Sequence, residues 1–149
     1  MSDIELIKQL REETLVSLGE CKKALEEAGG DIEEAKRVLL ERNKDIAIKK
    51  GSRNAGDGLI HAYIHMNGKT GVMVNLGCET DFVSKSEDFE KLAHDICLQI
   101  VAMNPEDIDG LMEQQWVKDS NKTIKDLIEE HIGKVGENIV LRNFVKYEI

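Results

Sequence analysis

The side chains able to do chemistry are few. His61 and His65 stand four apart with Tyr63 between them, and Cys78 and His94 follow. If this stretch is a strand, the three ring-bearing residues share a face, because side chains alternate along a strand. The two imidazoles would then stand roughly 13 Å apart at about 3.3 Å per residue, too far to share one zinc ion unless the strand bends. Cys78 and His94 have the composition of a nucleophile and its base. No Gly-rich oxyanion loop accompanies them, however, and no third group is placed to orient the imidazole. The chain also lacks a Gly-x-x-x-x-Gly-Lys loop and a Gly-x-Gly-x-x-Gly after a strand, the arrangements that cradle phosphates. The residues therefore predict a binding surface rather than an enzyme, with no cofactor and no metal of its own.

One stretch stands apart: Gly77-Cys78-Glu79-Thr80-Asp81-Phe82-Val83-Ser84 leaves an alternating apolar strand and runs toward a helix. Thr80 and Asp81 cap and turn backbone, so Phe82 need not belong to a regular element. Aromatic residues make up only 4% of the chain, and a small domain ordinarily places its rings in the core, where each buries a large apolar area. Two readings are open. Either Phe82 points outward as the anchor for a partner, or it folds back beneath the following helix as core.

The whole composition narrows the partners. The 149 residues are 41% hydrophobic and 33% charged, with a formal net charge of -9. That length holds one ordinary domain or a small core with an appended module. The acid excess disfavours direct nucleic-acid binding unless a local basic patch works against the whole field, so protein partners rank first. Met1-Ser2-Asp3 has no basic start or apolar h-region, and no apolar run approaches the roughly 18 residues of a membrane span. A cytoplasmic protein with no membrane partner is expected. Cys21, Cys78 and Cys97 are odd in number and lie in unrelated settings, which favours reduced thiols over a disulfide framework.

The elements that must position the candidate surface form two groups. Residues 1–47 contain three capping boxes, Ser2 with Glu5, Ser17 with Glu20, and Asp31 with Glu34, and so predict three short helices. Ile4, Ile7 and Leu10, then Leu18, Cys21, Leu25 and Ala28, then Ile32, Ala35, Val38 and Leu39 mark their inner faces, and Gly29-Gly30 suits the end of the second. Leu15, Val16 and Leu18 fall in and beside the first turn, where so small a bundle has little interior left. They form either a docking patch rimmed by Arg11, Lys22 and Lys23 or loose packing against the rest of the chain. Residues 48–58 read as a linker. Lys44, Lys49, Lys50 and Arg53 near it are a solvated basic run or a contact for RNA or an acidic partner.

Residues 59–149 read as an α+β core. Leu59 to Met66 and Thr70 to Leu76 alternate as half-buried strands around Asn67-Gly68, a strong hairpin signal. A ribbon of two strands is marginal alone. Glu137 to Ile149 offers a third strand, with Ile139, Leu141, Val145, Tyr147 and Ile149 set against Val140, Arg142, Phe144, Lys146 and Glu148. The cover is a helix from Glu87 to Met103, capped by Ser86, with Phe89, Leu92, Ala93, Ile96, Ile100 and Met103 inward and Asn104-Pro105 as its stop. A second helix runs from Thr123 to about Val135. Residues 106–121 give no clear signal beyond a short helix or strand through Leu111 and Trp116.

Four segments, in order, closely resemble the elongation factor Ts family: Glu5-Leu-Ile-Lys-Gln-Leu-Arg11, Glu20-Cys-Lys-Lys-Ala-Leu-Glu-Glu-Ala28, Cys78-Glu-Thr-Asp-Phe-Val83 and Lys134-Val-Gly-Glu-Asn-Ile139. The resemblance implies a three-helix bundle like a ubiquitin-associated domain, followed by a small antiparallel sheet packed with helices, the core of dimerisation type. It implies guanine nucleotide exchange on the GTPase elongation factor Tu, with the Thr80-Asp81-Phe82-Val83 segment pushing in near the Mg²⁺ site of Tu and dislodging the ion. By the same resemblance Phe82 is the wedge, Asp81 its polar companion, and Thr80 and Val83 shape the turn, while Arg11, Leu18 and Lys22 dock the bundle on the GTPase domain.

The chain departs from the family in two places. Many members carry Met where Gly19 stands, and longer members carry a second core subdomain that this chain lacks. A symmetric homodimer, one sheet packed on its twin, is expected to compensate. The alternative function is a scaffold or chaperone module that binds Tu or a ribosomal component without exchange.

Overall fold

Polar caps and apolar spacing build three helices at the N-terminal end of the computed structural model, which describes residues 3–14 and 16–149. They are α1 (Asp3–Thr14), α2 (Leu18–Glu27) and α3 (Ile32–Lys50). The Ser17 hydroxyl accepts the Glu20 amide at 3.4 Å, and the Asp31 carboxylate accepts the amides of Glu33 and Glu34 at 3.0 and 3.5 Å. Each bond satisfies a donor that the first helical turn leaves without a backbone partner. Ser2 and Leu15 lie outside the described residues.

Leu10, Cys21, Ala24, Leu25, Ala35 and Leu39 form the core of this bundle. Arg42 of α3 bridges Glu20 and Glu27 of α2. One expectation changes. Ile4 faces outward instead of inward, because α1 already fills its side of the small core with Leu10 and, packed against it, Leu6 and Ile7. Val16, for which a docking patch and packing were both open, packs against the core. Its amide is held by the Thr14 hydroxyl at 3.4 Å.

The chain divides into two units. The first holds residues up to Gly51 together with Glu129–Gly136; the second holds Ser52–Ile128 and Glu137–Ile149. Within the first, the Asn43 side chain lies over Gly133, where an added Cβ would meet its Oδ1 at 2.5 Å. Helix α3 continues to Lys50, and the first strand begins at Asp57.

The second unit is organised by a three-stranded antiparallel sheet of β1 (Asp57–Ile64), β2 (Thr70–Cys78) and β5 (Val140–Glu148), with β2 in the centre. The hairpin closes with His65 N–H on the Thr70 carbonyl at 2.9 Å. Gly68 takes positive φ there and Asn67 does not; its side chain instead accepts the Lys69 amide. Val72, Val74, Leu76 and Cys78 of β2 are buried beneath α5 (Glu87–Met103), which packs on β1 and β2. Met103, expected inward, is half exposed at the end of α5, where the Asn104 left-handed cap turns the chain away.

Strand β5 does not alternate straight through. Its register on β2 slips between Asn75 and Leu76, so that Asn143 faces Asn75 while Leu141 faces Leu76, with Arg142 as the extra residue. The bulge breaks the predicted grouping. Ile139 and Leu141 are buried, whereas Val145, Tyr147 and Ile149, expected on their side, are exposed. Residues 106–121 form α6 (Ile108–Glu113), β3 (Gln115–Trp116) and part of β4 (Asp119–Thr123), and α7 (Ile124–Val135) follows.

Gly58, the second residue of β1, has a φ of 154°, and a Cβ there would collide with the Leu76 carbonyl oxygen and Gly77 Cα of β2. Those atoms are backbone, so nothing there can yield. Gly58→Ala is expected to destabilise the sheet unit by about 1–3 kcal/mol, read as a lower denaturant midpoint in the fluorescence of Trp116, the chain's one tryptophan.

Candidate functional site

The end of β2 delivers the candidate site. Three residues beyond Cys78 the chain enters α4, a single turn from Asp81 to Ser84. Thr80 is its N-cap, with the hydroxyl accepting the Val83 amide at 3.4 Å. Phe82 therefore belongs to a regular element after all, and it is 86% exposed. Successive helical residues point about 100° apart. Val83, the next residue, is buried, and its burial turns Phe82 outward. Asp81 is exposed beside it and pairs with Lys85 at 3.6 Å.

Carboxylates hold the approach to this turn. The Glu79 and Thr80 amides donate to Glu137 Oε1 at 3.1 and 3.0 Å, and the Thr80 hydroxyl donates to Oε2 at 2.7 Å. Glu79 in turn pairs with Arg53 Nε at 2.9 Å and accepts the Asn138 amide at 2.6 Å. Arg53 is thus engaged within the sheet unit. Arg142, the bulge residue, donates to Asn75 Oδ1 at 3.0 Å and to the Asp57 carbonyl at 2.9 Å. An added Cβ on Gly77 would meet its guanidinium at 2.6 Å, so glycine there makes room for it.

Arg11, Leu18 and Lys22 lie in the bundle unit. Arg11 is exposed in the last turn of α1. Leu18 and Lys22 follow one another on a face of α2, both exposed, which suits a side chain that meets something beyond the bundle.

The residues that suggested metal or nucleophile chemistry are placed otherwise. His61 Nε2 lies 3.1 Å from Nδ1 of His94, and His65 Nδ1 lies 3.1 Å from the Tyr63 hydroxyl. Among the described residues no group of three or more His, Cys, Asp or Glu is arranged to hold a metal ion. Burial raises the Cys78 thiol, with a further upward push from the Glu137 carboxylate, and the thiol donates to the Thr80 carbonyl at 3.2 Å. Cys97 is pushed up to about 12 by burial. A thiol so raised stays protonated near neutrality, and the thiolate is the nucleophile. Sequence reasoning missed the His61–His94 contact and the Glu137 clamp. Each joins elements whose pairing only the register supplies.

The fold and site define a mixed helix-and-strand protein that presents one apolar side chain on a braced turn. A family model described as Elongation factor TS matches residues 79–149. Elongation factor Ts of Coprothermobacter proteolyticus is 43% identical, covering 97% of this chain and 96% of that protein. The Rubrobacter xylanophilus and Thermosipho melanesiensis proteins of the same name are 37% and 38% identical, with 99% of each relative covered. The chain belongs to the elongation factor Ts family, whose members act in translation elongation. The alignments run over 189 to 194 positions, so these relatives carry residues that this shorter chain lacks. No helix among the described residues is long and apolar enough to cross a membrane.

Burial, then the neighbouring His94, lowers the pKa of His61, with Glu90 opposing. The unfolded chain therefore binds the extra proton more readily, and stability must rise with pH where the two states differ. Stability is expected to be level above about pH 6.5 and to fall as pH drops below it. His61→Gln should flatten that slope in a series of urea midpoints from acid to neutral pH.

Proposed function

We propose that this protein is a guanine nucleotide exchange factor for elongation factor Tu, acting in the cytoplasm and making or breaking no covalent bond. The observation that carries the proposal is the exposed Phe82 on a capped, braced turn. A large ring held in water at one fixed position is poorly explained by folding and well explained by a pocket on a partner.

A GTPase grips its diphosphate through a phosphate-binding loop and a Mg²⁺ ion, and fast release requires a partner that stabilises the nucleotide-free shape. Factor and nucleotide then weaken one another's binding equally. An acceleration of roughly 10⁴-fold corresponds to about 5.5 kcal/mol off the release barrier. Burying one phenyl ring contributes about 1.5–3 kcal/mol of that, and wider docking supplies the remainder. In this reading Phe82 enters the GTPase near the ion, Asp81 meets the polar groups there, Thr80 and Val83 fix the turn, and Arg11, Leu18 and Lys22 dock the bundle.

The outer face of the sheet supports a second part of the reading, a homodimer. Ile60, Ile64, Met73, Val145, Tyr147 and Ile149 are exposed, and most of them line one shallow apolar depression. An isologous contact places the same patch on both copies, so one sheet face would cover the other.

Two measurements test these points. Mixed with its own organism's elongation factor Tu carrying a fluorescent GDP, the wild type should speed release by orders of magnitude and Phe82→Ala should lose most of that gain. Binding without release would favour the scaffold reading. Sedimentation at micromolar concentration should give the dimer mass, and Val145→Lys should give the monomer; wild type at monomer mass rules the sheet-to-sheet dimer out.

A further inference from the structure

A four-residue helix has no cooperative stability of its own, yet α4 presents an almost fully exposed ring. Something outside the helix must fix its direction. The three polar groups of Thr80 are all engaged. Its amide and its hydroxyl donate to the two oxygens of Glu137, at 3.0 and 2.7 Å, and its carbonyl accepts the Cys78 thiol at 3.2 Å. A threonine hydroxyl has one hydrogen and two lone pairs. Giving the hydrogen to Glu137 leaves a lone pair for the Val83 amide, the bond that caps the helix. The carboxylate thus sets the hydroxyl in the rotation the cap requires.

The brace is reciprocal. While Glu137 receives the amides of Glu79 and Thr80, the Glu79 carboxylate receives the Asn138 amide at 2.6 Å. The two carboxylates are exchanged between the segment leaving β2 and the segment entering β5. Arg53 offsets their charge through Glu79, and its carbonyl accepts Asn138 Nδ2 at 3.1 Å. Bonds from backbone amides to a carboxylate are among the stronger ones available to a protein.

We propose that Glu137 is a positioning residue for Phe82: through Thr80 it holds the one-turn helix in the orientation from which the ring enters the partner. The proposal rests on the exchange reading above. In this role Glu137 acts on the Thr80 amide and hydroxyl rather than on the partner, so its effect must pass through Phe82.

That dependence makes a double-variant cycle the test. Release of fluorescent GDP from elongation factor Tu is followed over a concentration series with wild type, Glu137→Ala, Phe82→Ala and the two combined. Glu137→Ala is expected to lower the saturating release rate about tenfold, the scale of losing charge-assisted hydrogen bonds. The half-saturating concentration should stay within about twofold, since docking is kept. In the Phe82→Ala background the same change should be nearly silent, whereas losses that simply multiply would show that Glu137 acts elsewhere and overturn the proposal. An unchanged rate for Glu137→Ala alone would overturn it too.

If Glu137→Ala does not fold, Thr80→Val replaces it, with Thr80→Ser expected to restore the rate by returning the hydroxyl. Amide hydrogen exchange separates this proposal from the exchange reading. Val83 and Ser84, whose amides are bonded to Thr80, should exchange faster in Glu137→Ala while Val72 and Val74 of β2 do not. Should wild type fail to release GDP, the exchange reading falls and the amides decide the clamp. Unchanged protection at Val83 and Ser84 sinks it.

Discussion

Strand β2 is hydrogen-bonded along both edges, and its alternate residues from Val72 to Cys78 are sealed beneath α5. A strand so enclosed cannot slip by one residue without turning its whole apolar set to water. The helix that carries Phe82 begins three residues beyond it. Because that helix is too short to stand alone, the ring inherits its position from the strand and from the carboxylates that tie the connection down. The precision available for entering a partner is therefore a property of the sheet.

The same sheet is covered unevenly. On its inner face α5 is buried around much of its circumference, polar residues included. Gln99 donates to Gln114 Oε1 and the Gln115 carbonyl at 3.2 and 3.0 Å and accepts the Val117 amide at 2.9 Å, while buried Asp95 pairs with Lys118 at 2.6 Å. These bonds anchor the β3–β4 ribbon, which has few apolar side chains with which to anchor itself. On the outer face Ile60, Ile64, Met73, Val145 and Tyr147 stay exposed.

Function in this reading depends on an asymmetry of cost. Leaving one phenyl ring in water sacrifices a few kcal/mol at most, within the margin of an ordinary domain. A flexible ring would also have to be ordered on binding, at a further cost in side-chain and backbone entropy. The capped turn meets much of that ordering cost during folding, so more of the contact energy is left to stabilise the nucleotide-free partner.

Local chemistry determined much of this molecule. Ser17, Asp31 and Ser86 cap helices wherever their neighbours follow helical spacing, Asn67-Gly68 turns a hairpin, and the period of α5 marks Phe89, Leu92 and Ile96 as core. The segment from Cys78 to Val83 was recognisable as unusual for the same reason: its residue types cap and turn within four positions. What the sequence left open was where Phe82 points, what His94 meets and how residues 106–121 fold, and its straight alternation through β5 was overturned. Phe82 faces outward because Val83 beside it is buried, and β5 changes face because Arg142 is a bulge against Asn75 and Leu76. The His61–His94 contact and the Thr80–Glu137 bonds join residues 33 and 57 apart in the chain. No local preference encodes such pairs. They exist only once the strands have fixed their register and α5 has packed on them, and so tertiary structure alone decided how the exposed ring is held.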